Sequence, residues 1–420
     1  MAAWSKLIEN CNCCDDLIHI NSCSFNAAYN SYRFTLSNIK YFLPVIFMPL
    51  LLKIKKLNRK KFTDTFKYYA EAIFCGVATG WVISVMICAM RQICGKFGRY
   101  SSFFVPSLIG AIVTICTGTS RVRRLFFTAT IQSNIASLIL KRRNAITQLL
   151  ADSLTMKTLT FMSCSAVILH AKRHQQFQGF WFLQPNALTS TSPELEKQQI
   201  KLRKQESDGL IQATSNTADN PGCTHDGRSC YQHSTLGVRN YMLIGLTLDL
   251  AKMLISSVPV GSQGFLGLIK AKLSTLNLKS TVFLATYIGI YRFTHCYLNY
   301  RTQSNQELNH ILASFLGGAS FLLYPKLTLQ SFGIVVSMEV FWKMFKAYKM
   351  KQRFKLLELL KRVPAPHILY VFSLAQIIDT YIMDARYVNS LGTIIINSIT
   401  DNYAKRINLN IERKMKSHSH

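Results

Sequence analysis

Apolar runs recur along the chain at about 36–52, 66–90, 103–117, 122–140 and 154–171, and again at about 237–258, 280–298, 308–324, 327–345 and 366–384. Runs of this length predict helices. Between the two sets lies a polar stretch, 172–236, which opens on Lys172, Arg173 and His174. It continues through a charged run at 194–208 to the turn-rich Asp219, Asn220, Pro221 and Gly222, and predicts a hydrophilic connector with one short helix across 193–206.

Crossing a bilayer takes about 20 apolar residues, with a range of about 17–25. The 66–90 run meets that comfortably, 103–117 is short, and 122–140 carries Arg123, Arg124, Gln132 and Asn134. Short, polar-dotted spans are tolerable only where helices shield one another, so the pattern predicts a compact bundle.

The two sets look like copies. Cys23 and Cys230 lie 207 positions apart (230 − 23), as do Gly110 and Gly317 (317 − 110), and at that offset all five runs of the first half fall on the five of the second. Pro106-Ser107-Leu108-Ile109-Gly110-Ala111 meets Ala313-Ser314-Phe315-Leu316-Gly317-Gly318. Such agreement predicts an internal duplication. The fold class expected is therefore all-α: a polytopic helical membrane protein of two duplicated bundles joined by a polar connector. Its predicted divisions are a Cys-rich leader at 1–35, a first bundle at 36–171, the connector at 172–236 with a Cys/His leader at 223–233, a second bundle at 237–385, and a basic tail at 386–420.

The first run of each half is the weakest span. The 36–52 run holds Lys40, Pro44 and Pro49, and 237–258 holds Arg239, Asp249 and Lys252. A charge at the bilayer centre costs about 2.5–3.5 kcal/mol on insertion scales. These two runs are expected to lie at the membrane surface, leaving four spans per half in one shared orientation. Asp249 and Lys252, three apart, can pair on one helix face.

Composition strengthens the membrane reading, because hydrophobic residues make up 49% of the chain and charged ones only 16%. The formal charge of +29 comes from 49 Lys and Arg against 20 Asp and Glu. Basic residues cluster between apolar runs, as in Lys53, Lys55, Lys56, Arg59, Lys60 and Lys61, and in Arg121, Arg123 and Arg124. That is the mark of loops held on the cytoplasmic side. No recognition helix, zinc-finger spacing or aromatic-basic RNA motif accompanies them, so nucleic acid is not an expected partner. The first apolar run begins near Tyr41, too far in for a cleavable secretory signal, and Ser417-His418-Ser419-His420 is unlike a Ser-Lys-Leu address. An internal membrane-targeting signal is the expectation. Cys75, Cys88, Cys94, Cys116, Cys164 and Cys296 lie in or beside apolar runs, where cysteine acts as a small buried hydrophobe rather than part of a disulfide scaffold.

Small residues at four-residue spacing, Ala72, Gly76, Gly80, Ser84 and Cys88, mark the second run, and Gly110, Ala285-xxx-Gly289, Ala313-xxx-Gly317 and Ser314-xxx-Gly318 extend the theme. Missing side chains let two helix backbones approach closely, so the first reading is bundle packing; the alternative is a ridge lining a lipid or solute path. Glu71, Asp249 and Glu339 are acidic residues inside spans, candidates for function by that placement. Glu71 sits near a span end, and Glu339 has Lys343 at i,i+4. A Cys/His leader precedes each half: Cys11, Cys13, Cys14, His19 and Cys23, then Cys223, His225, Cys230 and His233. Thiolate and imidazole are zinc ligands, but the spacing is not that of a standard finger. A cap at the helix entry is the leading reading, zinc the minor one, and no cofactor is expected. No HxxxxD pair, G-x-S-x-G elbow, Walker loop, di-iron His-box or Glu-x-x-His pair occurs, so the chain is not expected to be an enzyme.

The assembled residues resemble the transmembrane protein 135 family. The resemblance rests on Arg91-Gln-Ile-Cys94-Gly95-Lys96-Phe97, Pro106-Ser-Leu108, Cys223-x-His225 with Cys230, and Gly237-Val-Arg239 leading to Leu243-Ile-Gly245. It continues through Ile290-Tyr291-Arg292-x-x-x-Cys296, Glu307-Leu308-x-His310, the run Ala313 to Gly318, and Tyr324. Cys11 and Cys13 fall where that family opens with a Cys-rich domain, at a different spacing. The resemblance implies a multi-pass protein of peroxisomal and mitochondrial membranes, associated also with lipid droplets. It further implies a part in mitochondrial fission and in peroxisome-linked fatty-acid or sterol homeostasis, with no catalytic residues. The partners so implied are the bilayer, fatty acids or sterols, the mitochondrial fission machinery and a second copy of the chain. The alternative function is lipid or fatty-acid passage across the peroxisomal membrane. The Gly-rich repeated spans are similar, more weakly, to the four-helix Tim17/Tim22/Tim23 translocase fold.

Overall fold

The computed structural model describes residues 22–51, 59–95, 98, 100–183, 229–255, 277–302, 306–347 and 362–417. Within them the protein is all-α, with 13 α-helices and no strand. The first half supplies α1 (Cys23–Leu51), α2 (Arg59–Cys94), α3 (Val105–Thr117), α4 (Ser120–Lys141), the short α5 (Ala145–Asp152) and α6 (Leu154–Arg173). The second supplies α7 (Cys230–Ile255), α8 (Lys279–Arg301), α9 (Gln306–Gly317) with a 3-10 turn over Gly318–Leu323, α10 (Leu327–Ala347), α11 (Ala365–Met383), α12 (Ser390–Thr400) and α13 (Tyr403–Ser417). Local chemistry sets several of these ends. Gly95, at φ 69°, stops α2 while its N–H bonds the Arg91 carbonyl at 3.0 Å. Pro106 occupies the first turn of α3, where a missing N–H costs nothing. Asp401 and Asn402, both at positive φ, turn the chain sharply between α12 and α13.

The 207-residue offset holds in the helix boundaries. Cys23 and Cys230 each begin a helix, Cys94 and Arg301 each end one, and Ser120 and Leu327 begin the fourth pair. Hydrogen bonds repeat as well: Ser107 Oγ donates to the Phe103 carbonyl at 2.7 Å, and Ser314 Oγ to the His310 carbonyl at 2.6 Å.

The chain forms two compact units, and they are not the two halves. Unit 1 gathers residues 1–153 with 327–335 and 349–420, and unit 2 gathers 154–326 with 336–348. Unit 1 thus holds α1 to α5 with the start of α10 and with α11, α12 and α13, and unit 2 holds α6 to α9 with the rest of α10, so α11 sits with the first half's helices and α6 with the second's. In unit 1, Asn134 on α4 donates to Ser373 Oγ on α11 at 3.2 Å, Lys141 to Thr380 Oγ1 at 2.6 Å, and the Tyr370 hydroxyl to Thr114 Oγ1 on α3 at 2.9 Å. In unit 2, Ser165 on α6 donates to the Ser314 carbonyl on α9 at 2.7 Å.

Within each unit the first two helices run antiparallel with their backbones close, and the residue that permits it changes sides. In unit 1 it is Gly76 on α2, where a Cβ would run into Asn38 on α1. In unit 2 it is Gly245 on α7, the position matching Asn38, where a Cβ would stand 2.5 Å from the Thr281 Cα on α8. α1 and α7 are thus packed bundle helices, and neither is among the described segments long and apolar enough to cross a membrane. Asp249 is turned inward onto α8, and Phe34, Phe42 and Ile46 are buried with α2 and α11.

Two more boundaries move. Residues 174–183, expected in the polar connector, pack against unit 2 with Phe177, Trp181 and Leu183 buried; three large apolar residues were enough to fold a stretch that opens on charge. Residues 390–417, expected in a basic tail, form α12 and α13. Tyr403, Ala404, Ile407 and Ile411 lie on one face of α13 and are buried in unit 1, while Lys405, Arg406 and Arg413 stay exposed. The expected short helix at 193–206 lies outside the described residues.

Among the described residues three helical segments are long and apolar enough to cross a membrane: Phe62–Cys94, Tyr100–Thr117 and Leu154–Arg173. The other described runs expected to span fall outside that group; among them α4 carries Arg121, Arg123 and Arg124, and α9 gives way to a 3-10 turn at Gly318. Large apolar side chains such as Phe74, Ile93, Phe293 and Phe341 stand exposed on helix faces, as lipid-facing residues do.

Candidate functional site

The small residues singled out in the sequence are packing contacts. A Cβ on Gly80 would collide with the Ile399 carbonyl of α12, and one on Gly110 with the Ile83 side chain of α2. One on Gly317 would lie 3.3 Å from Tyr291 Cβ, one on Gly318 2.6 Å from Met162 Cα on α6, and one on Gly289 3.2 Å from Val238 on α7. Ser84, buried, bonds the Trp81 carbonyl of its own helix at 2.9 Å.

Each acidic residue has a partner. Glu71 accepts the Thr119 hydroxyl at 3.0 Å, and Glu339 pairs with Lys343 at 2.7 Å. Asp249, 2% exposed, accepts the Thr281 backbone N–H at 2.8 Å and its hydroxyl at 2.9 Å. Thr281 lies in the first turn of α8, so Asp249 caps that helix from α7. The side chain of Lys252, expected to pair with it, lies outside the described residues, as do Cys11, Cys13, Cys14, His19, Cys223 and His225. Cys23 and Cys230 open α1 and α7, and the His233 carbonyl accepts the Arg292 guanidinium, which lies over Gly237. Among the described residues no group of three His, Cys, Asp or Glu is placed to hold a metal.

What the sequence reading missed is a buried polar centre in unit 2. Tyr291, His295 and Asn299 form one stripe of α8 at i, i+4 and i+8, and that polar stripe inside an apolar run was the available signal. The Tyr291 hydroxyl lies 3.0 Å from His310 Nδ1 on α9, and His295 meets His310 edge-on with ring centroids 5.9 Å apart. Below them Asn309 donates to Asn299 at 2.9 Å and to the Thr302 carbonyl at 3.2 Å. A second arm runs the other way. Trp181 Nε1 donates to the Tyr287 hydroxyl at 2.8 Å, which lies 2.6 Å from Ser165 Oγ. Ser165 gives its own proton to the Ser314 carbonyl, so Tyr287 donates to Ser165 and the chain of donors has one direction.

The end of α6 closes this centre. Arg173, only 8% exposed, donates to the Gln306 carbonyl at 3.2 Å. His170 and His174 lie with their rings tilted and centroids 4.6 Å apart, and His174 reaches the exposed Glu307 at 3.5 Å. His310 is 1% exposed, and its Nε2 lies near the Leu169 carbonyl without a well-formed hydrogen bond. His170 Nδ1 is likewise buried without one.

Unit 1 shows what the same architecture does without this chemistry. At the 207 offset Phe103 stands for His310, Ser84 for Tyr291 and Cys88 for His295, all buried. Phe103 belongs to the apolar core there. The polar set of unit 2 is therefore not demanded by the fold. No family model matches the chain, and no solved structure matches it.

Proposed function

We propose that the chain is a non-enzymatic membrane protein of the transmembrane protein 135 type, acting in mitochondrial fission and in peroxisome-linked fatty-acid and sterol homeostasis by positioning partners through its basic surface. What supports the reading is where the residues of that resemblance fall. Tyr291, His310 and Ser314 come from two helices and lie buried and hydrogen-bonded in one centre of unit 2, with Gly317 packed against Tyr291 beside them. The packing of Gly76, Gly80 and Gly317 against neighbouring helices favours this reading over the alternative of a glycine-lined lipid passage.

The test is to tag the full chain, score it against peroxisomal and mitochondrial markers, and measure mitochondrial length after its depletion and return. Residence in both membranes, with lengthened mitochondria on depletion that shorten again on return, is the expected result. Unchanged length in both conditions would remove the fission role. Fatty-acid or sterol transfer by the purified protein between liposomes would move the conclusion to the passage alternative.

A further inference from the structure

We propose that unit 2 holds an oxyanion, phosphate in chemistry, bound by Arg173 at the end of α6 with His170 and His310 beside it. Three observations carry this, and none depends on the organelle-level reading above.

The first is an unbalanced cation. Arg173 is buried, and among the described residues no carboxylate lies within ion-pair distance of it. Its hydrogen bond goes to one backbone carbonyl, that of Gln306. A guanidinium offers five N–H donors in a planar fork, so most of its capacity is unused. Burying a charge without a counter-charge is costly, and the ordinary resolution is a bound partner of opposite sign. Glu307, the nearest acid in the sequence of α9, is exposed and turned to His174.

The second observation is that the surroundings are rich in donors and poor in acceptors. His310 stands one turn of α9 beyond Gln306, whose carbonyl Arg173 holds, and its ring lies 5.9 Å from that of His295. Its Nε2 and the Nδ1 of His170 are both buried and both lack a well-formed bond. An imidazole N–H is a donor that a phosphate oxygen satisfies directly. Water alone would satisfy such groups without needing the cation.

The third is the internal comparison. Unit 1 builds the same pair of helices with Phe103, Ser84 and Cys88 buried at the matching positions, Phe103 within the apolar core. Two copies of one architecture, one placing Phe103, Ser84 and Cys88 where the other places His310, Tyr291 and His295, differ in what they are built to receive. Polar and charged groups inside membrane helices are expensive, and they mark binding sites.

The source of the oxyanion is either free phosphate or the headgroup of a phospholipid, and the experiment separates them. The full-length protein is placed in phosphatidylcholine nanodiscs and its thermal unfolding is followed with added inorganic phosphate, then in nanodiscs containing phosphatidic acid without it. Phosphate stabilises many folds by exclusion, so each response is compared with two variants. Arg173→Gln removes the cation. The triple variant Tyr291→Ser, His295→Cys, His310→Phe copies residues that repeat 1 already packs, so it remains informative if Arg173→Gln does not fold. The expected result is a saturable rise in unfolding temperature for the wild type, with apparent affinity falling about tenfold or more in the variants, the order of a lost charge-assisted hydrogen bond. A response to phosphate in plain nanodiscs assigns a free anion; a response only to phosphatidic acid assigns a headgroup. Equal responses in the wild type and the triple variant, or no response to either probe, would overturn the proposal.

Discussion

Gly80 of α2 faces the backbone carbonyl of Ile399 in α12 so closely that no Cβ fits between them. The two residues are joined only through the tertiary structure, and the contact seats a helix that the apolar pattern alone leaves as tail. Gly80→Leu is expected to lower stability by about 1–3 kcal/mol or more, because a carbonyl on a packed helix cannot rotate away as a side chain can. Gly289→Ala, whose new methyl meets only Val238 at 3.2 Å, should cost far less. Thermal unfolding in detergent and the steady-state protein level in cells both measure this. Equal behaviour of the two variants would mean α12 does not dock on α2.

Asp249 tests whether a buried acid is a cap or a proton carrier. Asp249→Ala removes the acceptor for the Thr281 N–H and is expected to cost about 0.5–2 kcal/mol. Asp249→Asn keeps an acceptor oxygen in place and should retain most of the stability. If the two variants lose the same amount, the negative charge matters and the capping role is wrong.

The exchange of fifth helices makes the halves interdependent. A chain cut between Gln205 and Glu206 leaves α6 on one fragment and α11 on the other, each belonging to the unit built by its counterpart. Expressed singly, both fragments should be degraded or aggregate; expressed together, they should copurify. Stable monomeric fragments that do not associate would show that each half completes its own bundle.

Orientation follows from the basic clusters between apolar runs. Single-cysteine labels at the N-terminus, near Lys55 and within 190–210 are expected to react together from the cytosolic side of intact organelles. Opposite labelling of the N-terminus and the 190–210 segment would indicate an odd number of crossings between them, and inverted repeats.

The helical class, the two sets of five and the 207-residue offset were legible in the chain because each is a linear property. Apolar runs report how far a helix extends, and matching residues such as Gly110 and Gly317 report the duplication without any knowledge of contacts. The Glu339 and Lys343 pair was legible for the same reason, since four residues along a helix place two side chains on one face. Which helix completes which bundle was not. α6 and α11 are held by contacts such as Ser165 with Ser314 and Asn134 with Ser373, whose partners are far apart in sequence. The polar centre escaped for a related reason. Arg173, Tyr291 and His310 each look like a single polar residue in or beside an apolar run, and only the packing of α6, α8 and α9 brings an unbalanced cation and two histidines into one buried place.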